Sequence, residues 1–110
     1  MPALFILHKS ADQQYYFNLT AQNNEIILTS ETYTSKGGAI YGIQSVRENS
    51  PSESRYSRFT SEDGQYYFLL KGANNETIGK SETYTTHQAR EKGIQAVKKV
   101  GLTAPLSDKT

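Results

Sequence analysis

The clearest signal along the chain is a period of two. From Gln14 it reads QYYFNLT, in which Tyr15, Phe17 and Leu19 fall on one face of an extended segment and Tyr16, Asn18 and Thr20 on the other. Successive side chains of a strand point to opposite sides of its sheet, so this alternation predicts a half-buried strand. QYYFLLK, from Gln65, repeats it with Tyr66, Phe68 and Leu70. FILHK (5–9) and YSRFT (56–60) predict a strand before each, and EIILTSE (25–31) and ETIGKSE (76–82) a strand after. Asp12-Gln13 and Asp63-Gly64 mark the first turns, the second pair being a type I′ hairpin signal. Asn23-Asn24 and Asn74-Asn75 mark the second turns, because Asn tolerates left-handed backbone. Three strands joined by short turns predict an antiparallel meander.

The period then lengthens. Over about 35–48 the apolar positions Ala39, Ile43 and Val46 share one helical face, and over 86–99 Ala89, Gly93, Ile94 and Val97 do the same. Thr34 or Ser35, and Thr85 or Thr86, can accept a bond from a free first-turn N–H and so cap each helix. Gly42 and Gly93 stand mid-helix, where glycine costs about 1 kcal/mol relative to alanine. Their presence in both helices predicts close approach of the helix backbone to the sheet or to the other helix. ENSPSESR (48–55), around Pro51, reads as a linker. The tail GLTAPLSDKT (101–110) leaves a short edge strand and a frayed end equally open.

Strand, strand, strand, helix therefore occurs twice. Sliding the chain against itself by 51 positions aligns residues 14–48 with 65–99 without a gap, with eighteen of the 35 positions identical. Two copies are too few for a solenoid, and half of a 110-residue chain buries too little surface to stand comfortably alone. The expectation is one α+β domain over 1–110, built from repeat 1 (1–50) and repeat 2 (51–110). A pseudo-twofold axis should relate the repeats, with both helices packed on an antiparallel sheet and one shared core. It would be a monomer acting as a pseudo-dimer.

Composition narrows the chemistry. The chain has no cysteine, hence no disulfide framework, thiolate zinc site or cysteine nucleophile. No stretch approaches the ~20 apolar residues of a membrane span, and MPALFILHKS lacks the basic start of a signal peptide. A cytoplasmic, cofactor-independent protein is the default expectation. Net charge is +1, divided as −1 before residue 51 (three Lys/Arg, four Asp/Glu) and +2 after it (nine and seven). A nucleic-acid partner thus has no electrostatic support. His8 and His87 are the only histidines, and neither has metal-ligand spacing to Asp or Glu. SKGGAIYG offers an anion-binding helix start, but its counterpart THQAREKG loses two of the glycines. Residues kept in both copies are mostly apolar, Gly, turn Asn and capping Thr, whereas Lys36 matches His87 and His8 matches Phe59. Shared packing explains this pattern; a duplicated active site does not.

SETYT (30–34 and 81–85) is the longest identical block containing charge. Its tyrosines can cover the seam between strand and helix while Ser and Thr satisfy backbone groups. Alternatively Glu31, Tyr33, Glu82 and Tyr84 form a patch near the pseudo-twofold axis for a protein or small-ligand partner, since Tyr combines apolar area with a polar tip. The functional expectation is a non-enzymatic interaction or structural module. The alternative is weak nucleic-acid binding on the outer sheet face through Tyr16, Tyr67, Lys71 and Arg58, by base stacking.

The duplicated pattern Tyr-x-Phe-x-Leu, a turn with Asn and Glu, Ser-Glu-Thr-Tyr-Thr, then a helix with Gly-Ile-Gln-[Ser/Ala]-Val resembles the YegP-like family of uncharacterised bacterial proteins, in its tandem form. The resemblance spans about residues 3–100 and includes the linker NSPSESRY. It implies two β-β-β-α(-β) units sharing a sheet, with the strand after each helix exchanged between units. SRYSRFT would be both exit from one unit and entry to the next. Other members carry one copy and pair as dimers. The resemblance brings no catalytic residues, and Gly79 departs from the family pattern, which has a branched or small residue there.

Overall fold

The computed structural model describes residues 2–110. Seven strands and two helices follow in the order β1 (Leu4–Lys9), β2 (Tyr15–Thr20), β3 (Ile26–Ser30), α1 (Lys36–Asn49), β4 (Tyr56–Thr60), β5 (Tyr66–Lys71), β6 (Thr77–Lys80), α2 (His87–Val100) and β7 (Leu106–Asp108). All seven strands form one sheet, ordered β4-β5-β6-β3-β2-β1-β7. Each meander pairs antiparallel within itself, β3 meets β6 antiparallel at the centre, and β7 alone runs parallel, beside β1. Both helices lie on one face. There Phe5, Leu7, Phe17, Leu19 and Leu28 join Phe68 and Leu70, and Val46, Ile94 and Val97 close over them.

The central seam reveals the symmetry. Across it Thr29 faces Lys80, and Ser30 faces Gly79. Thr29 and Lys80 are the same position of the two repeats, so the pseudo-twofold axis passes between them. Leu28 and Gly79 are also equivalents, and they meet beside the axis. A Cβ on Gly79 would lie 2.9 Å from the Leu28 Cγ and 3.0 Å from the Thr29 carbonyl oxygen. One volume does not hold two leucines, so Leu in one copy faces Gly in the other. Ser50 and Gly101, equivalent positions at the two helix C-termini, repeat the arrangement. A Cβ on Gly101 would sit 2.7 Å from that of Ser50, whose buried hydroxyl has no hydrogen-bond partner among the described residues.

Local signals mostly act where expected. Ser35 and Thr86, not Thr34 or Thr85, cap the helices, accepting from the Gly38 and Ala89 N–H groups at 3.0 and 3.1 Å. The turns differ from the expected type I′. In Ser61–Gln65 only Gly64 is left-handed (φ 80°), the Gly64 N–H donates to the Ser61 carbonyl, and the Ser61 N–H donates to that of Gln65. Gln13 (φ 69°) does the same in Ser10–Gln14. This is a type I turn closed by one left-handed bulge residue, which matches strand twist by a different route. Asn24 and Asn75 are left-handed in the second turns. A register shift in each repeat, at Leu19/Thr20 and at Leu70/Lys71, sets Ile27 and Ile78 as extra buried residues. The alternation of β2 is also blunter than expected, because Asn18 and Thr20 are buried on its outer face. The Asn18 amide donates to the Thr29 hydroxyl, and its carbonyl oxygen pairs with the His8 Nε2. In α2, Ala89 is only half-buried; Arg90 takes the place of core Ala39 and lies over the Tyr66 ring.

The tail forms a strand. The Phe5 N–H donates to the Pro105 carbonyl and the Lys109 N–H to that of Leu7, both at 2.9 Å. The strand after α2 thus crosses to repeat 1, as the resemblance implied. At the opposite edge the linker's single 3-10 turn (Glu53–Arg55) precedes β4, and the Glu53 carbonyl accepts from the Tyr56 N–H. Tyr56 is the counterpart of Phe5, so a linker carbonyl does there what Pro105 does on β1. Residues 56–60, the strand after α1, pair with β5 and so serve as the first strand of repeat 2, as the resemblance implied.

Candidate functional site

SETYT serves strand, helix and surface at once. As β3 ends, the Ser30 hydroxyl accepts from the Phe17 N–H at 2.9 Å and donates to the Glu31 carbonyl at 2.7 Å; Ser81 repeats both contacts with Phe68 and Glu82. Tyr33 then exchanges two backbone bonds with Tyr15, and Tyr84 with Tyr66. These bonds hold each tyrosine at the start of its helix, with the ring directed at the mid-helix glycine. A Cβ on Gly42 would come within 2.8 Å of the Tyr33 Cζ, and one on Gly93 equally close to that of Tyr84. The helical glycines make room chiefly for these rings, with the sheet residues Phe17 and Phe68 behind them.

The four predicted site residues are not gathered into one patch. Glu31 and Glu82 line a shared shallow depression over the β3–β6 seam with Thr29, Lys80 and Leu69. Tyr33 and Tyr84 diverge from it into two grooves related by the pseudo-twofold. The first groove, of about 320 Å³, runs between Tyr33, Tyr41 and Gly42 of repeat 1 and Asn74, Glu76 and Ile78 of repeat 2, with Glu31 at its rim. The second, of about 290 Å³, sets Tyr84, Lys92 and Gly93 against Asn23, Glu25 and Ile27. Each groove exists only where the helix of one repeat meets the second hairpin of the other. Sequence reading found the tyrosines but missed Tyr41, Asn74 and Glu76. The repeated Asn-Asn-Glu turns were the available signal, yet nothing local shows that a turn faces the opposite helix.

Burial is the main influence raising the phenol pKa of Tyr33 and Tyr84, followed by Glu31 at the first and Glu82 then Glu25 at the second. Both phenols are accordingly neutral near pH 7. A network of ion pairs lies elsewhere, around Arg58 in the middle of β4. There Arg58 pairs with Glu91 (2.8 Å) and Glu53 (2.7 Å), and Lys98 also reaches Glu53. Arg58 therefore faces the helix layer in neutralised company, not the outer sheet face where the nucleic-acid alternative put it. Tyr67 does lie on that outer face, stacked on Phe59 at 5.4 Å and covered by the Lys80 ammonium at 4.7 Å; His8 and Tyr16 stack equivalently at 4.8 Å. Among the described residues no three His, Cys, Asp or Glu converge, and no helix is long and apolar enough to cross a membrane.

Comparison with known proteins matches this duplicated architecture. The model of a domain of unknown function, DUF1508, fits residues 10–57 and again 61–108. The chain belongs to the DUF1508 family. A UPF0339 protein YegP from Shigella flexneri is 51% identical over 110 residues, covering 100% of both chains. The solution NMR structure of YegP from Escherichia coli, a protein of unknown function, is 51% identical with a TM-score of 0.94, covering 100% of this chain and 95% of that one. That of a UPF0339 protein from Shewanella oneidensis is 44% identical with a TM-score of 0.92, covering 98% and 92%. The α+β fold with two DUF1508 repeats is thus shared along the whole chain. These relatives carry no enzymatic name, and no site residue transfers from them.

Proposed function

We propose that this DUF1508 protein is a non-enzymatic interaction module that binds a protein or small-ligand partner through the paired grooves between its repeats. The observation that carries this reading is that each groove is assembled from both repeats and bordered by a SETYT tyrosine and an exposed carboxylate. Both Ser-Glu-Thr-Tyr-Thr copies thereby gain a role beyond packing. A cytoplasmic monomer is part of the same reading, checked by fractionation and sedimentation velocity. The central test is affinity capture from bacterial lysate with wild type and with a Glu31→Gln/Tyr33→Phe/Glu82→Gln/Tyr84→Phe variant. These changes keep ring packing while removing the phenol hydroxyls and the carboxylate charges. The reading expects partners that the variant no longer retains; recovery of the same partners by the folded variant overturns it.

A second reading has its own observation. The outer sheet face carries the two stacked pairs His8/Tyr16 and Phe59/Tyr67, with Lys80 above one of them, which is stacking surface for single-stranded nucleic acid. Lys80 supplies a cation beside Tyr67, but the net charge of +1 lends little attraction. Salt-sensitive retention on single-stranded DNA at physiological ionic strength would favour this reading, and no retention would remove it.

A further inference from the structure

We propose that the first groove receives the guanidinium of an arginine side chain presented by a partner protein. The inference rests on the interaction reading above and names the chemistry of one groove. Its walls supply two aromatic rings, Tyr33 and Tyr41, two carboxylates, Glu31 and Glu76, and the Asn74 side chain, with no basic residue among them. Neither carboxylate is ion-paired among the described residues. A cation entering there meets unneutralised negative charge beside two tyrosine rings, and both attract it. Arginine suits the combination better than lysine, because its planar fork pairs with carboxylates and stacks on aromatic rings at the same time. At about 320 Å³ the groove lies near the lower end of ligand pockets. That favours one inserted side chain over a larger free ligand.

The internal repeat supplies a built-in control. At the position of Tyr41 the second groove has Lys92, which brings its own ammonium to a wall that otherwise keeps Tyr84, Glu25 and Asn23. The ring is lost and the negative charge is offset. Of two grooves with one ancestry, only the first retains the preference for a cation. Because Glu31 and Glu76 come from different repeats, neither repeat alone carries the site.

The test is an amide chemical-shift titration of the full chain with the peptide acetyl-Gly-Arg-Arg-Gly-amide, with Lys and Glu versions as controls. Saturable shifts should be confined to the amides around Tyr33, Tyr41, Asn74 and Glu76, and should weaken with added salt. Glu31→Gln/Glu76→Gln should weaken binding roughly tenfold or more, since it removes both charge-assisted partners. Tyr41 is 75% exposed, so Tyr41→Lys should leave the fold intact and abolish binding. Lys92→Tyr should create a second set of shifts in the other groove. The amide spectra report folding of every variant directly. Absent or diffuse shifts, a lysine peptide that binds equally well, or an inert Lys92→Tyr would each overturn the proposal. So would free spermidine occupying the groove while the arginine peptide does not. If the peptide fails but lysate capture still depends on the SETYT residues, this inference falls and the interaction reading stands; if both fail, both fall.

Discussion

Gly93→Ala should destabilise the protein even though alanine is the better helix former, and the structure gives the size of the effect. In a free helix the change would contribute about 1 kcal/mol. Here the new methyl would stand 2.8 Å from the Tyr84 Cζ, closer still to its hydroxyl, and 3.3 Å from a Phe68 ring carbon. Phe68 can yield by a few tenths of an ångström, but Tyr84 must swing out. Its ring is half-buried, so leaving forfeits about half of an aromatic side chain's ~200 Å². At ~25 cal/mol per Å² that is about 2.5 kcal/mol, and the net loss is about 1.5 kcal/mol. In a Tyr84→Ala background the obstacle is gone and the same substitution should stabilise, by up to about 1 kcal/mol. Urea unfolding of the four proteins in this cycle measures the coupling directly, expected near 2.5 kcal/mol. A stabilising Gly93→Ala in the wild-type background, or one whose sign is the same with and without Tyr84, would refute the reasoning.

Other outcomes follow from the same packing. Leu28→Gly should lose about 3–5 kcal/mol through the cavity it leaves, and Gly79→Leu should also destabilise. The exchanged pair should recover much of the loss in denaturant unfolding, because one volume at the axis is filled from the other side. Ser50→Ala should be neutral or raise stability by up to about 1 kcal/mol, since it removes a buried hydroxyl with no partner among the described residues; a clear drop in Tm would show that the hydroxyl has a partner. Ending the chain at Ala104 removes the strand beside β1 and should cost about 1–3 kcal/mol, the Phe5 N–H and Leu7 carbonyl losing their bonds. In acid, Glu53 is held at about 2, below its ordinary 4.5, by Arg58 and then Lys98, and Glu91 is lowered chiefly by Arg58. A lowered folded-state pKa contributes stability that is complete above about pH 4.5 and disappears as pH falls toward 2. With exposed partners the effect is small, on the order of 0.2–1 kcal/mol per pair. Arg58→Gln should flatten the melting profile over that window, and an unchanged profile would show that the network adds nothing.

The legible part of this protein was the part governed by neighbours along the chain. Phe17 and Leu19 alternate with polar residues, and Ser35 and Thr86 precede apolar periodicity, so strands and helices were readable almost to their ends. The turn at Asp63-Gly64 was placed correctly but given the wrong type, because the dipeptide does not reveal that only one residue is left-handed. Tyr33 and Tyr84 stood out through repetition. Their grooves did not, since Glu76 and Asn74 lie across the seam from Tyr33 and far from it in sequence.

The sequence by itself determined that one unit is written twice, what that unit is, and that its shared residues are those of packing and turns. Only the tertiary structure decided which equivalent positions meet. Leu28 with Gly79, and Ser50 with Gly101, look like unremarkable drift in an alignment of the two copies. In the fold they face each other at the pseudo-twofold axis, where two equivalent side chains compete for a single space and one has to yield. Periodicity and caps depend on bonds a few residues apart. Size at a symmetry axis depends on a contact that exists only once the halves have come together.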